Sequence, residues 1–318
     1  MKEYIIHGKP NFGGSLREVE VPKPGPSDVL IKVRAVGLNP KDWKFTKSRT
    51  SSEALNAGDD VAGIVEAVGS EVFEYKPGDR VAAFHRMGHP AGTYAEYTVA
   101  PASTTFRLPP NISFEAGAGI PLSFITAALA LYQYLQVPLP TTQGSKDIPI
   151  LIYGGASAVG SYALQLARLS NLNPIITVAG SGIAHVEALN AATHIIDYRK
   201  GDVAKQILEA AKGASGGGHI NMVDPPTDPD WSFPADVRFT RTFVSSAYGV
   251  KHNSITDEQA KADADFSYFF YRYLSLLLAE GSFKPHPIEV LPNGLNHIVD
   301  GVKLLHDGKV SAKKLIAR

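Results

Sequence analysis

The chain has 318 residues, 44% hydrophobic and 19% charged, with a formal net charge of zero. That length suits two domains of ordinary size, and the composition is that of a globular protein. The balanced charge gives no electrostatic footprint for nucleic acid or an anionic membrane, so neither is expected as a partner. The absence of cysteine excludes disulfides, thiolate nucleophiles and cysteine-bound zinc.

No stretch of about twenty apolar residues is present to cross a bilayer. Residues 1–7 lack the apolar core of a signal peptide and read as a first β-strand, so a cytoplasmic location is expected. Residues 29–36, VLIKVRAV, are β-branched and nearly alternating, and Gly37 ends them, as in a strand. Residues 61–68 form another strand closed by Gly69 and Ser70. The turn Lys76-Pro77-Gly78-Asp79 leads into a strand at 80–84, and residues 92–99 add one more. Short strands separated by Gly/Pro turns predict a compact β-barrel. From Pro121 the pattern changes. Residues 122–135 are apolar and read as a helix joining two domains. Apolar strands at 148–153, 174–179 and 194–197 then alternate with helices at 159–169 and 185–191, the pattern of a parallel sheet covered on both faces. Further strands are expected at 220–223 and 241–246, and the tail from residue 281 leaves that alternation.

Residues 151–160, LIYGGASAVG, run from a strand through a glycine-rich turn into a helix. Such a turn presents backbone N–H groups and a helix N-terminus to a pyrophosphate. Its G-x-G-x-x-G spacing falls on Gly155, Ser157 and Gly160, with serine in place of the middle glycine; Ala158 and Val159 complete the helix start. The competing reading is a tight βα turn without a ligand. About twenty residues past the last glycine, an NAD enzyme places an acid on the ribose 2′-hydroxyl. Here that position carries Ala179-Gly180-Ser181. Small residues leave room for a 2′-phosphate, so NADPH is the expected cofactor, with Gly180 and Ser181 beside it and Tyr198 available to pack on the adenosine phosphate.

The segments GLNPKDWK (37–44), GDDVAGIVEAVG (58–69) and KPGDRV (76–81), the 155–160 turn and Asp197-Tyr198-Arg199 together resemble the medium-chain dehydrogenase/reductase superfamily, in its quinone oxidoreductase and enoyl reductase branch. NPKDWK is similar to zinc-free fungal members, including trans-acting enoyl reductases that serve polyketide synthases. The resemblance implies an α/β architecture: a chaperonin-10-like β-barrel domain (residues 1–120 and 281–318) plus a Rossmann doubly wound parallel-sheet domain (121–280) that binds NADPH, with the active site in the cleft. Zinc alcohol dehydrogenases carry a Cys and a Gly-His-Glu segment where this chain has Asn39 and Asp59-Asp60, so no metal is expected. Lacking a Lewis acid to stabilise an alkoxide, the chain is expected to reduce a conjugated acceptor, whose developing charge falls on an oxygen that hydrogen bonds can stabilise. The acceptor is an enone, an enoyl thioester or a quinone. An NADPH-binding, redox-responsive regulatory protein without turnover and a zinc-free carbonyl/alcohol oxidoreductase are the alternatives.

Family positions imply Thr126 as a hydrogen-bonding partner near the nicotinamide, and Asn39, Lys41 and Asp42 on a loop facing the cofactor. Lys41 is the leading group for stabilising an enolate or delivering a proton, against the reading of a surface lysine beside a proline turn; Tyr248 is the alternative donor. A Lys common after the second Rossmann strand of NADPH relatives is replaced by Ile183, which leaves the 2′-phosphate to Ser181, Tyr198 and Arg199 or the basic tail Lys313-Lys314. Phe266, Phe269, Phe270, Tyr273, Leu274 and Leu277 recur at helical spacing, a stripe that core packing explains; the resemblance implies instead that the region borders the substrate cleft, with Phe266 or Phe270 facing an apolar substrate. That substrate is a small molecule or a carrier-bound acyl group, the latter with a partner synthase; monomer and homodimer are both open. His85 and His89 lie in a Gly/Pro-rich loop without a third ligand nearby. Residues 224–230, DPPTDPD, read as a rigid solvated turn.

Overall fold

The computed structural model describes residues 1–9, 12–47, 54–142, 147–211, 218–223, 235–252 and 255–318; the acidic turn expected at 224–230 lies outside them. Two compact units emerge, one of residues 1–122, 247–250 and 257–318, the other of residues 123–246 and 251–256. Among the described residues no helix is long and apolar enough to cross a membrane.

The first unit is built on β3 (Asp28–Gly37) and β4 (Asp60–Val68), paired antiparallel from Val29 opposite Val68 to Gly37 opposite Asp60. Two register shifts interrupt the ladder, bending the strands as bulges do where a sheet must curl. β5 (Arg80–Phe84) pairs with β4, β7 (Thr105–Arg107) with β5, and β6 (Tyr97–Pro101) with β3. The sheet is completed from the far end of the chain by β13 (Ile288–Val290) and β14 (Lys314–Ala317), which joins β3. A hairpin of β1 (Lys2–His7) and β2 (Gly13–Glu18) stands beside it. Ile6, Ile31, Val36, Val61, Val81 and Leu315 are buried together at its core; Ile31 and Val36, an odd number of residues apart on β3, share it across the register shift between Val33 and Ala35. The short helix α2 (Phe114–Ala118) is capped by Ser113, whose side chain accepts from Ala116 N–H.

Asn39, Lys41 and Asp42, expected on a loop, lie instead at the start of α1 (Pro40–Lys47), with Asn39 just before it. The physical reason is local: Pro40 stands at the first helical position, where its missing N–H costs nothing. The Asp42 carboxylate reaches back to accept from Asn39 N–H at 2.7 Å, the reciprocal half of a capping box. The 24-residue helix α7 (Asp257–Glu280), expected in the Rossmann segment, groups with the first unit. Tyr271 stacks on Phe106 (5.7 Å, 7° between planes) and donates to Pro121 O at 3.0 Å. Arg272 pairs with Glu74 and donates to the carbonyls of Ala102 and Ser103, both at 3.0 Å. A helical stripe shows which face is apolar; what it packs on depends on chain segments far away in sequence.

In the second unit, β8 (Ile150–Tyr153), β9 (Ile175–Ala179) and β10 (His194–Asp197) form a parallel sheet in the order β10-β9-β8. All five β9 residues are buried, the mark of a strand covered on both faces. α4 (Ala158–Leu169), α5 (Ile183–Leu189) and α6 (Val203–Ala210) connect and follow these strands. α3 (Pro121–Ala128) continues into a π-helical turn, 129–134, that closes with Leu135 N–H on Ala130 O at 2.9 Å. There Tyr132 meets α4 through Leu166 O and Ser170 Oγ. β11 (His219–Met222) and β12 (Arg238–Arg241) pair parallel. The strand expected at 241–246 thus ends at Arg241, and residues 244–248 turn into a 3-10 helix.

Candidate functional site

The glycine-rich turn fits a pyrophosphate by its own geometry. Gly154 adopts φ +86°, a conformation that glycine enters freely. A Cβ on Gly155 would overlap Thr177 Oγ1, and one on Gly160 would overlap Gly154 O and stand 2.9 Å from Gly155 Cα. Strand, turn and helix therefore approach as closely as backbone permits. Ser157, the departure from the glycine pattern, is the N-cap of α4, its Oγ accepting from Gly160 N–H at 3.0 Å. It consolidates the helix start and leaves the N–H groups of Ala158 and Val159 in the first turn, where no i−4 helical acceptor serves them. An anion placed there would meet those donors and the positive end of the helix dipole.

At the end of β9, Gly180 carries no Cβ because the Tyr198 phenol occupies that place. Tyr198 is about half exposed and forms a shelf there beside Ser181. Arg199 is committed locally: Nε and Nη2 grip Asp197 Oδ1 and Oδ2 at 2.8 and 2.7 Å, and these bonds hold the Asp197 carboxyl well below the usual carboxylate range. Of the basic tail, Lys313 pairs with Glu289. Lys314 is buried, donating to Asp60 Oδ2 at 2.5 Å and Asn39 Oδ1 at 2.8 Å. The expectation that Lys314 could serve a phosphate is corrected: its ammonium neutralises a carboxylate inside the barrel.

That carboxylate belongs to a buried polar network that sequence reading found only in part. Asp60 accepts from Lys314, from Asn39 Nδ2 (2.9 Å) and from Leu122 N–H (2.7 Å). Next to it, Lys41 Nζ donates to Ala57 O at 2.5 Å and lies in ion pairs with Asp59 Oδ2 and, at 3.1 Å, Asp42 Oδ1. Charge is the larger part of what holds the ammonium toward them. Lys41 keeps 22% of its side chain exposed while both acids are buried. Burial alone would pull its pKa down; Asp59 and then Asp42 outweigh that, and the ammonium persists above the ordinary lysine value. Asp42 goes the other way. Burial pushes its carboxyl up to about 6, against the pull of Lys41 and of the Tyr94 hydroxyl, which donates to Oδ2 at 2.5 Å. The two directions agree once Asp59 is recognised as the main counterion of Lys41, leaving Asp42 as the underpaired acid. Tyr94, Lys314 and His85 went unrecognised in this role. Lys314 lies 254 residues from Asp60, and no local signal could have joined them.

A family model for the alcohol dehydrogenase GroES-like domain matches residues 25–110. The chain is 37% identical to the trans-enoyl reductase fsr4 of Gibberella fujikuroi over 311 residues, covering 92% of this chain and 91% of that protein. It belongs to the medium-chain dehydrogenase/reductase superfamily, with the trans-enoyl reductases. Among solved structures, a quinone oxidoreductase of Pseudomonas syringae pv. Tomato matches with a TM-score of 0.71 and 25% identity, over 99% of this chain and 100% of that one. An alcohol dehydrogenase of Rhizobium etli assigned as zinc-dependent reaches 0.78 at 24% identity, over 100% and 98%, and shows the fold alone. Membership makes this medium-chain dehydrogenase/reductase an oxidoreductase of the nicotinamide-dependent class.

Among the described residues of this trans-enoyl reductase relative, no group of three or more His, Asp or Glu is arranged to hold a metal. Thr126 is buried in α3. Tyr248 closes the 3-10 turn in the first unit, its ring 5.4 Å from Phe84 and its hydroxyl accepting from Met87 N–H at 3.0 Å. Phe266 is half-buried and stacks on Phe270 at 4.1 Å. Phe270 itself is buried against Phe269 and Tyr273, so of the two only Phe266 offers an accessible face.

Proposed function

We propose that this protein is a zinc-independent, NADPH-dependent reductase of activated carbon–carbon double bonds, with an enoyl thioester carried by a partner synthase as its physiological acceptor and quinones as simpler ones. The observation that carries the reading is the partly exposed Lys41 ammonium, kept charged by Asp59 and Asp42 in a segment where zinc relatives gather metal ligands. The turn at 154–160 with Ala158 and Val159 would hold the pyrophosphate, and Gly180, Ser181 and Tyr198 the adenosine ribose phosphate; the absence of an acid after β9 favours a 2′-phosphate. NADPH supplies the hydride.

Lys41 meets the negative charge that develops on the acceptor oxygen. Its 3.1 Å contact to Asp42 is the one to yield, because burial already raises the Asp42 carboxyl to about 6. A fixed ammonium aimed at a developing enolate lowers the barrier without reorganisation at the moment of reaction. Asn39 and Lys314 hold Asp60 in the neighbouring part of the network.

The test follows cofactor absorbance with NADPH and with NADH against the crotonyl thioester of N-acetylcysteamine, a 2-alkenal and a quinone, alongside metal analysis of the purified protein. Turnover with NADPH, a weaker rate with NADH, no stoichiometric zinc, and a kcat about a hundred-fold lower in Lys41→Ala are expected. Tight NADPH binding without turnover on any acceptor would make the protein a regulatory binder and overturn the reading.

A further inference from the structure

We propose that His85 is a positioning residue for Lys41: it fixes one oxygen of Asp59 so that the other stays turned to the lysine ammonium. The inference rests on the role given above to Lys41 and concerns the network behind it. His85 directly follows β5 and is 2% exposed. Its Nδ1 lies 3.1 Å from Asp59 Oδ1 and its Nε2 3.0 Å from Pro90 O. Both partners are acceptors, a carboxylate oxygen and a backbone carbonyl, so the ring is held between them. The backbones are locked as well, His85 N–H donating to Asp59 O at 2.8 Å.

Asp59 Oδ2 is the oxygen facing Lys41. The ion pair holds that oxygen toward Lys41, and the His85 contact to Oδ1 fixes the carboxylate from the other side. The charges facing this group are Asp59 at the head of β4, Lys41 and Asp42 on α1, and, one place further on, Asp60 with Lys314. Three carboxylates stand against two ammonium groups, and the His85 ring is the further polar partner of Asp59. A buried set of charges is tolerated when it is paired throughout, and becomes costly when one member is lost.

Two substitutions separate the two grips. In His85→Asn the amide nitrogen falls where Nδ1 stood and can still donate to Asp59. In His85→Gln it falls where Nε2 stood, keeping Pro90 and abandoning Asp59. With NADPH and the crotonyl thioester of N-acetylcysteamine, His85→Gln should lower kcat roughly ten-fold with KM for NADPH within about two-fold, while His85→Asn retains most of the rate. In the Lys41→Ala background, His85→Gln should add no further loss, because a residue acting through another has nothing left to position. Equal impairment by Asn and Gln, or a loss that multiplies undiminished on Lys41→Ala, would assign His85 a purely structural role and overturn the inference. A full rate in Lys41→Ala would overturn the role of Lys41 itself, whereas a slow Lys41→Ala beside an unimpaired His85→Gln overturns only the part given to His85. Should His85→Gln not fold, Asp59→Asn tests the same link. Its carbonyl must face His85, which turns the amide hydrogens on Lys41, and an unchanged kcat would refute the proposal.

Discussion

Replacing Lys314 by Met should destabilise the protein by about 3–5 kcal/mol, the cost of leaving one partner of a buried ion pair uncompensated. The figure follows from the burial of both groups: the Asp60 and Lys314 side chains are 0% and 4% exposed. Without the ammonium, Asp60 Oδ2 keeps only the Asn39 amide, and Asn39 Oδ1 loses its donor. In a unit of this size each kcal/mol moves Tm by about 2–4 °C, so thermal unfolding followed by circular dichroism should show a fall of roughly 10 °C or more. The double variant Asp60→Asn/Lys314→Met removes both charges and should recover much of the loss, with a coupling well beyond the few tenths of a kcal/mol seen for independent sites. A Lys314→Met protein within 2 °C of wild type, or a double variant that merely adds the two single losses, would refute the account of Asp60 as a charge held by Lys314.

Gly160→Ala should weaken NADPH binding and lower Tm together. The new methyl group would press on Gly154 and Gly155 backbone, at about 1–3 kcal/mol of strain against the helix-propensity gain of roughly 1 kcal/mol; unchanged NADPH affinity by fluorescence titration would contradict the pyrophosphate assignment. Asp42 makes stability depend on pH in a direction opposite to most carboxylates. Its pKa is raised by burial from 3.8 to about 6, so the folded state holds the proton more tightly. The stabilisation is complete below about pH 4 and is lost as pH rises through about 6, an effect on the order of 3 kcal/mol. Asp42→Asn should flatten the Tm curve between those values, and parallel curves for variant and wild type would exclude Asp42 as the source.

Much of the second unit was legible in the sequence because its signals are local. An apolar strand, a glycine turn and an amphipathic helix within twenty residues determine one another, and β10 was placed at its observed bounds for that reason. Even the serine in the glycine pattern has a local explanation, as the cap of α4. α1 was equally available: Asn39, Pro40 and Asp42 are a helix start, missed because the proline was read as a turn. The barrel strands at 28–37, 60–68 and 80–84 were legible from alternation, whereas β14 and its partner β3 were not joined, since register between distant strands leaves no trace in either alone.

What only the tertiary structure decided is which charges meet. The sequence supplied Lys41 and the pair Asp59-Asp60, but not that Lys314 returns from the far end of the chain to Asp60, that Tyr94 donates to Asp42, or that His85 holds the back of Asp59. A buried charge is tolerable only beside its partner. That partner is chosen by strand pairing across hundreds of residues, and composition or spacing within a segment carries no information about it.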